Sequence, residues 1–137
     1  MNFKIGENSI VYLGDNFKEW FGGMPVKGGI KLVSKKLPRS MTDKEILDEL
    51  KPEEVSLGDV YHILKTLNYD IWAIFYVKDK DNVLRAVRVY WRGGGWHVRA
   101  YPTGNTIEWR DGDQVFSRNF DSKSFESSDP LKLVGKY

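Results

Sequence analysis

The sequence predicts an α+β fold: a curved antiparallel β-meander of five or six strands with two helices packed on one face. Three observations predict it. Between Thr42 and Leu67, apolar residues recur at helical spacing behind two capping sequences. From Tyr69 the apolar period falls to two and holds to Arg118. The links between these alternating runs are three to five residues long, which suits hairpins and is too short for crossovers.

Size and composition agree with this. A chain of 137 residues predicts a single domain, 1–137, long enough to bury a core without staples. Hydrophobic residues make up 41% and charged residues 29%, which argues against disorder. The absence of cysteine removes disulfides, thiolate chemistry and Cys-ligated metals together, and fits a reducing compartment. Neither a signal-peptide run nor an apolar stretch of membrane-spanning length is present, so a cytoplasmic protein without membrane association is expected.

The first 38 residues read as an irregular N-terminal segment. Ser9–Leu13 suits a short strand. Asp15–Phe21 suits two helical turns, with Asp15 as N-cap and Gly22 as a left-handed stop. Gly22–Gly29 reads as a loop rather than a lid. Ile30–Leu37 alternates weakly and stops at Pro38, as an edge strand would.

Two helices follow within 42–67. Thr42 with Glu45 forms a capping box, flanked by Met41 and Ile46 as a hydrophobic staple; Pro52 closes the helix. Ser56 with Asp59 repeats the pattern, with Val55 and Val60 as its staple. Leu57, Val60, Ile63, Leu64 and Leu67 form the buried stripe of the second helix, which turns His62 to solvent.

The meander spans 69–118, with strands near 70–77, 83–91, 96–101, 106–110 and 114–118. The tail, 121–137, is polar and serine-rich at its start, with one short strand or a free end at Leu131–Val134. Fixing the hairpins by their loops sets Trp91 opposite Trp96, Val89 opposite Val98 and Val87 opposite Ala100. The same rule places Ile71, Ala73, Phe75 and Val77 beside Val89, Val87, Arg85 and Val83, and Trp109 opposite Val115. One face is then apolar, ready for the second helix, and includes Trp109 and Val115.

The other face gathers Trp72, Arg88, Tyr90, His97, Arg99 and Arg110, with Glu108 beyond Arg99 and Phe116 beyond that. Arg88 beside Arg99 is a like-charge pair that calls for neutralisation, and Trp72 can stack on Arg88. Charge is segregated as well: residues 85–110 carry five arginines and one glutamate, residues 41–59 seven acids and two lysines, within a net charge of +2. These six residues are the candidate ligand-binding set. The expected function is a non-catalytic binding or protein-interaction module, with a protein partner or an anionic ligand met by two guanidiniums and an imidazole. The alternative is a single-stranded nucleic-acid-binding face, although the small net charge and the lack of an RNP-like signature count against it. A small enzyme using His97 and Glu108 as an acid–base pair ranks below both.

No metal and no cofactor is expected. The two histidines are 35 residues apart, without HxH or HExxH spacing. Gly93-Gly94-Gly95 precedes a strand and lacks the Lys-Ser/Thr of a phosphate loop, so it reads as a hairpin turn. Asp79-Lys80-Asp81-Asn82 lacks the glycine and glutamate of a calcium loop and also reads as a turn. One question stays open: whether residues 1–38, through Phe17, Trp20 and Phe21, cover the polar face at Trp72 and Ile74.

Overall fold

A computed structural model describes residues 3–104 and 108–120. Its elements are β1 (Ile10–Leu13), α1 (Asp15–Phe21), β2 (Val33–Lys36), β3 (Met41–Thr42), α2 (Asp43–Glu45), α3 (Leu57–Ile63), β4 (Ala73–Lys78), β5 (Leu84–Arg92), β6 (Gly95–Pro102), β7 (Glu108–Trp109) and β8 (Gln114–Ser117). α2 runs on as a π-helical stretch over Ile46–Leu50, ended by Lys51 in a left-handed conformation before Pro52. Six strands form one sheet in the order β1-β6-β5-β4-β8-β2, and β3 pairs with β7 in a separate two-stranded ribbon. The tail from 121 and the start of the expected 106–110 strand lie outside the described residues.

The α+β class holds, but the sheet is mixed rather than an antiparallel meander. The meander is real across β4, β5 and β6. The β5–β6 register is the expected one, closed by Gly93 and Gly94 at φ 61° and 84°, the positive values a tight hairpin turn needs. The β4–β5 register sits two residues from expectation, with Ala73 opposite Val89 and Phe75 opposite Val87. The shift keeps every side chain on its face. Its cause is the turn, where Asp79 Oδ1 accepts from the N–H groups of Asp81 at 2.8 Å and Val83 at 3.0 Å.

After β6 the local hairpins stop. β7 leaves the sheet to pair with β3, and β8 crosses to the far edge of β4, which it joins in parallel. Ile74 then pairs with Val115 and Phe75 with Phe116. The expected facing of this region is therefore reversed: Phe116 belongs to the first core, and Val115 and Trp109 to the second. β1 joins the sheet beside β6, also in parallel.

Helices lie on both faces, not on one. Against the first face, Phe17 and Phe21 of α1, Val60 and Tyr61 of α3 and Leu64 just past its end pack on Phe75, Val87, Val89, Val98 and Ala100. On the opposite face, Leu37, Met41, Ile46, Trp109 and Phe120 pack on Ile74, Tyr76, Ala86 and Val115. Both capping boxes form as read, and both staples are buried. α1 differs in detail. Its N-cap is Gly14, and the left-handed residue at its end is Gly23, at φ 80°, not Gly22.

Two buried carboxylates anchor the layers. Asp59 accepts from the N–H groups of Gly29, Ile30 and Ser56, each at 3.0 Å, and from Arg118 Nε at 3.1 Å, tying the Gly22–Gly29 loop to α3 and to the end of β8. Gly58 lets that loop pass: a Cβ there would fall 1.8 Å from the Lys27 carbonyl oxygen. Asp43, only 1% exposed, accepts on one oxygen from Tyr76 Oη at 2.6 Å and Trp109 Nε1 at 2.7 Å.

Asp43→Ala should lower unfolding stability by about 3 kcal/mol, because two enclosed donors lose their acceptor; Asp43→Asn, which keeps an acceptor, should lose much less. Burial pushes the Asp43 carboxyl up, despite the lowering pull of its Tyr76 and Trp109 donors. The folded chain thus binds that proton more tightly than the unfolded chain. Its contribution is complete below the unfolded value of about 4 and fades as pH rises through the folded one. Denaturant melts should show wild type losing stability relative to Asp43→Asn as pH rises above about 4.

Candidate functional site

The second core closes only part of its sheet face. The described residues of the N-terminal segment, 3–38, do not close the rest: Phe17 and Phe21 pack in the first core, while β1 and β2 extend the sheet at its two edges. Trp20 lies over Arg85, with the guanidinium carbon 3.7 Å from its ring centroid. Among the described residues, the part of the face left uncovered carries Arg88, Tyr90 and Arg92 of β5 and His97 and Arg99 of β6.

A row of rings crosses it. Tyr12 on β1 stacks on His97 at 5.4 Å between centroids, His97 on Tyr90 at 5.1 Å, and Tyr90 on Trp72, just before β4, at 4.5 Å. These spacings are close to the ~4.8 Å between neighbouring strands. The rings therefore stand upright side by side and spend their faces on one another, with interplanar angles of 29°, 14° and 10°. What points outward is ring edges, the electropositive rim of the π-system.

The next row holds Arg88 directly opposite Arg99, the expected like-charge pair. The two side chains part. Arg99 Nε donates to Tyr90 Oη at 3.0 Å, and its guanidinium lies 4.7 Å from the Tyr12 ring centroid. The Tyr90 hydrogen bond leads the causes that push the Arg99 pKa further up. Arg88 turns the other way, its guanidinium carbon 4.4 Å from the Trp72 centroid, 5.4 Å from Trp109 and 5.8 Å from Tyr90. Arg88 Nε is enclosed there without an acceptor. Its remaining N–H groups, neither enclosed nor hydrogen-bonded within the described residues, are left to the groove beyond.

That groove has a volume of about 580 Å³ and is lined by Trp72, Arg88, Arg92, Arg110, Asp111 and Asp113. Asp113 is nearly buried, and its Oδ2 accepts from the Arg110 N–H at 3.1 Å. Burial pushes its carboxyl up, opposed by that N–H and by the charges of Arg88 and Arg110.

The seven arginines of the chain fall into two groups. Arg39, Arg85 and Arg118 each meet a carboxylate, at 2.8 Å to Glu49, 2.8 Å to Asp79 and 3.1 Å to Asp59. Arg88, Arg92, Arg99 and Arg110 have no carboxylate within 4.0 Å among the described residues. All four belong to the open face or its groove.

Of the six candidates from the sequence, Trp72, Arg88 and Arg110 meet at the groove, while Tyr90 and His97 lie in the ring row and Arg99 is hydrogen-bonded to its Tyr90. His97 is not turned to the groove. Its Nε2 lies 3.1 Å from the Arg92 carbonyl oxygen, which only accepts, so Nε2 is the protonated nitrogen, and Nδ1 is enclosed without a partner. Glu108 is not the diagonal neighbour of His97: it pairs with Thr42 on the separate ribbon, and the strand beyond β6 is β1. The acid–base pair is thus not assembled. The sequence signal for Arg92 is masked by the glycines that follow it, although its even number places it on the face of Arg88 and Tyr90. Among the described residues no three His, Asp or Glu side chains are placed to hold a metal ion, and no helix is long and apolar enough to cross a membrane. Comparison with protein families, curated proteins and solved structures finds no match.

The two groups of arginines should respond differently to loss of charge. Arg85→Gln gives up a shielded ion pair and should cost about 1–3 kcal/mol in denaturant melts. Arg110→Gln should stay within about 0.5 kcal/mol of wild type.

Proposed function

We propose that this chain is a non-catalytic binding module whose groove at Trp72, Arg88, Arg92 and Arg110 takes an anionic group, either a small oxoanion or the acidic group of a partner protein. One observation carries the proposal: the arginines without a carboxylate partner among the described residues are gathered at one face, while the others are neutralised. Like charges held together cost stability, and an incoming anion relieves that cost. Guanidinium forks match planar and tetrahedral oxoanions. The aromatic cage around Arg88 restrains the side chain before a ligand arrives, which reduces the ordering that binding requires.

Single-stranded nucleic acid is supported less well by the same face. A stacking platform needs free ring faces, whereas Tyr90 and His97 are each stacked on both sides.

Inorganic phosphate at tens of millimolar should raise the melting temperature by about 3 °C or more over sodium chloride of equal ionic strength. The double variant Arg88→Gln/Arg110→Gln should lose that increment while keeping its own fold in chloride. An equal phosphate increment in wild type and variant would remove the groove from consideration.

A further inference from the structure

An anion groove built only for charge would not place a carboxylate on its wall. This one has a shielded carboxylate at Asp113, 8% exposed, fixed by the Arg110 N–H at Oδ2. Oδ1 has no hydrogen-bond partner among the described residues and is not enclosed, so on this groove-lining side chain it is the oxygen open to a ligand. Asp113 also feels the charges of both Arg88 and Arg110. We propose that Asp113 makes the groove selective for an oxoanion that still carries a proton, hydrogen phosphate above all, and rejects sulfate. The inference rests on the anion-binding role proposed above.

The chemistry follows from what each partner can donate. A carboxylate oxygen only accepts. An oxoanion placed between Arg88, Arg92 and Arg110 presents another oxygen to Asp113. If that oxygen bears a proton, it donates a short charge-assisted hydrogen bond. If it bears none, two anionic oxygens meet in a partly desolvated site and repel, with Asp113 unable to turn away because Arg110 holds it. Hydrogen phosphate and sulfate are both tetrahedral and doubly charged near neutral pH, and only the first carries a proton. A phosphate monoester loses its last proton at about pH 6, so at pH 7.5 it joins sulfate on the excluded side.

The test is calorimetric titration of the whole chain at pH 7.5 with inorganic phosphate, sulfate and methyl phosphate. Phosphate should bind about tenfold or more tightly than either of the others, the factor expected for one hydrogen bond to a charged group. In Asp113→Asn the amide oxygen can still accept from the Arg110 N–H, and the amide N–H₂ can donate to sulfate, so the preference should collapse to within about threefold. Asp81→Asn, at an exposed position in the β4–β5 turn and outside the groove lining, should keep the preference, and melting curves confirm that each variant is folded. Sulfate or methyl phosphate binding as tightly as phosphate to wild type would overturn the selectivity while leaving the anion groove standing. So would a preference that survives in folded Asp113→Asn. Failure of all three anions to bind would instead overturn the anion groove itself.

Discussion

A single carboxylate oxygen decides where the sheet ends as a core and begins as a surface. Asp43 Oδ1 holds Tyr76 and Trp109 together. Tyr76 rises from the middle of β4, and Trp109 comes from the short ribbon that leaves the sheet. Joining them seats Met41, Ile46 and Phe120 over Ile74, Ala86 and Val115. Hydrogen-bonding both enclosed donors makes the layer affordable, since either donor alone in an apolar setting would be costly. Coverage stops where Trp109 stops, and Arg88, against the Trp109 ring, is the first residue past that limit.

The open half then follows from strand spacing. Rings on neighbouring strands at one level stand about 4.8 Å apart and stack, which spends their faces and leaves edges. Guanidiniums in the next row cannot pair with each other. Arg99 takes the Tyr90 hydroxyl and Arg88 takes a cage of rings. Neither solution supplies a negative charge, so Arg88 reaches the groove it shares with Arg92 and Arg110 without a carboxylate within 4.0 Å among the described residues, though Asp111 and Asp113 also line that groove.

Much of this was legible in the sequence because it is local. Thr42 with Glu45 and Ser56 with Asp59 are three residues apart, and both boxes form. The Arg92–Gly95 link fixes its hairpin, so the facing of Arg88, Tyr90, His97 and Arg99 was readable from parity alone. The rest was not legible, since it depends on pairings distant in the chain. Asp111-Gly112-Asp113 looks like a hairpin turn, yet it redirects β8 to the vacant edge of β4, where Phe116 meets Phe75 in a ring stack at 5.2 Å. No local signal announces that a better partner waits some forty residues back. The same holds for β1, whose parallel pairing with β6 leaves no turn to read, and for Asp43, which reads as an ordinary first-turn acid. At the site two local signals mislead: Arg92 borders its turn but belongs to β5, and Glu108 lies on a strand that leaves the main sheet.

The most direct measurement is a residue-resolved map of nitrogen and proton shifts as inorganic phosphate is added to the isotopically labelled chain. An anion-binding groove requires that signals from Trp72, Arg88, Arg92, Arg110 and Asp113 move together along one saturable curve, while those of Lys27, Lys31 and Lys36 stay still. Shifts centred on those lysines, or no saturable shift at the groove, would contradict it.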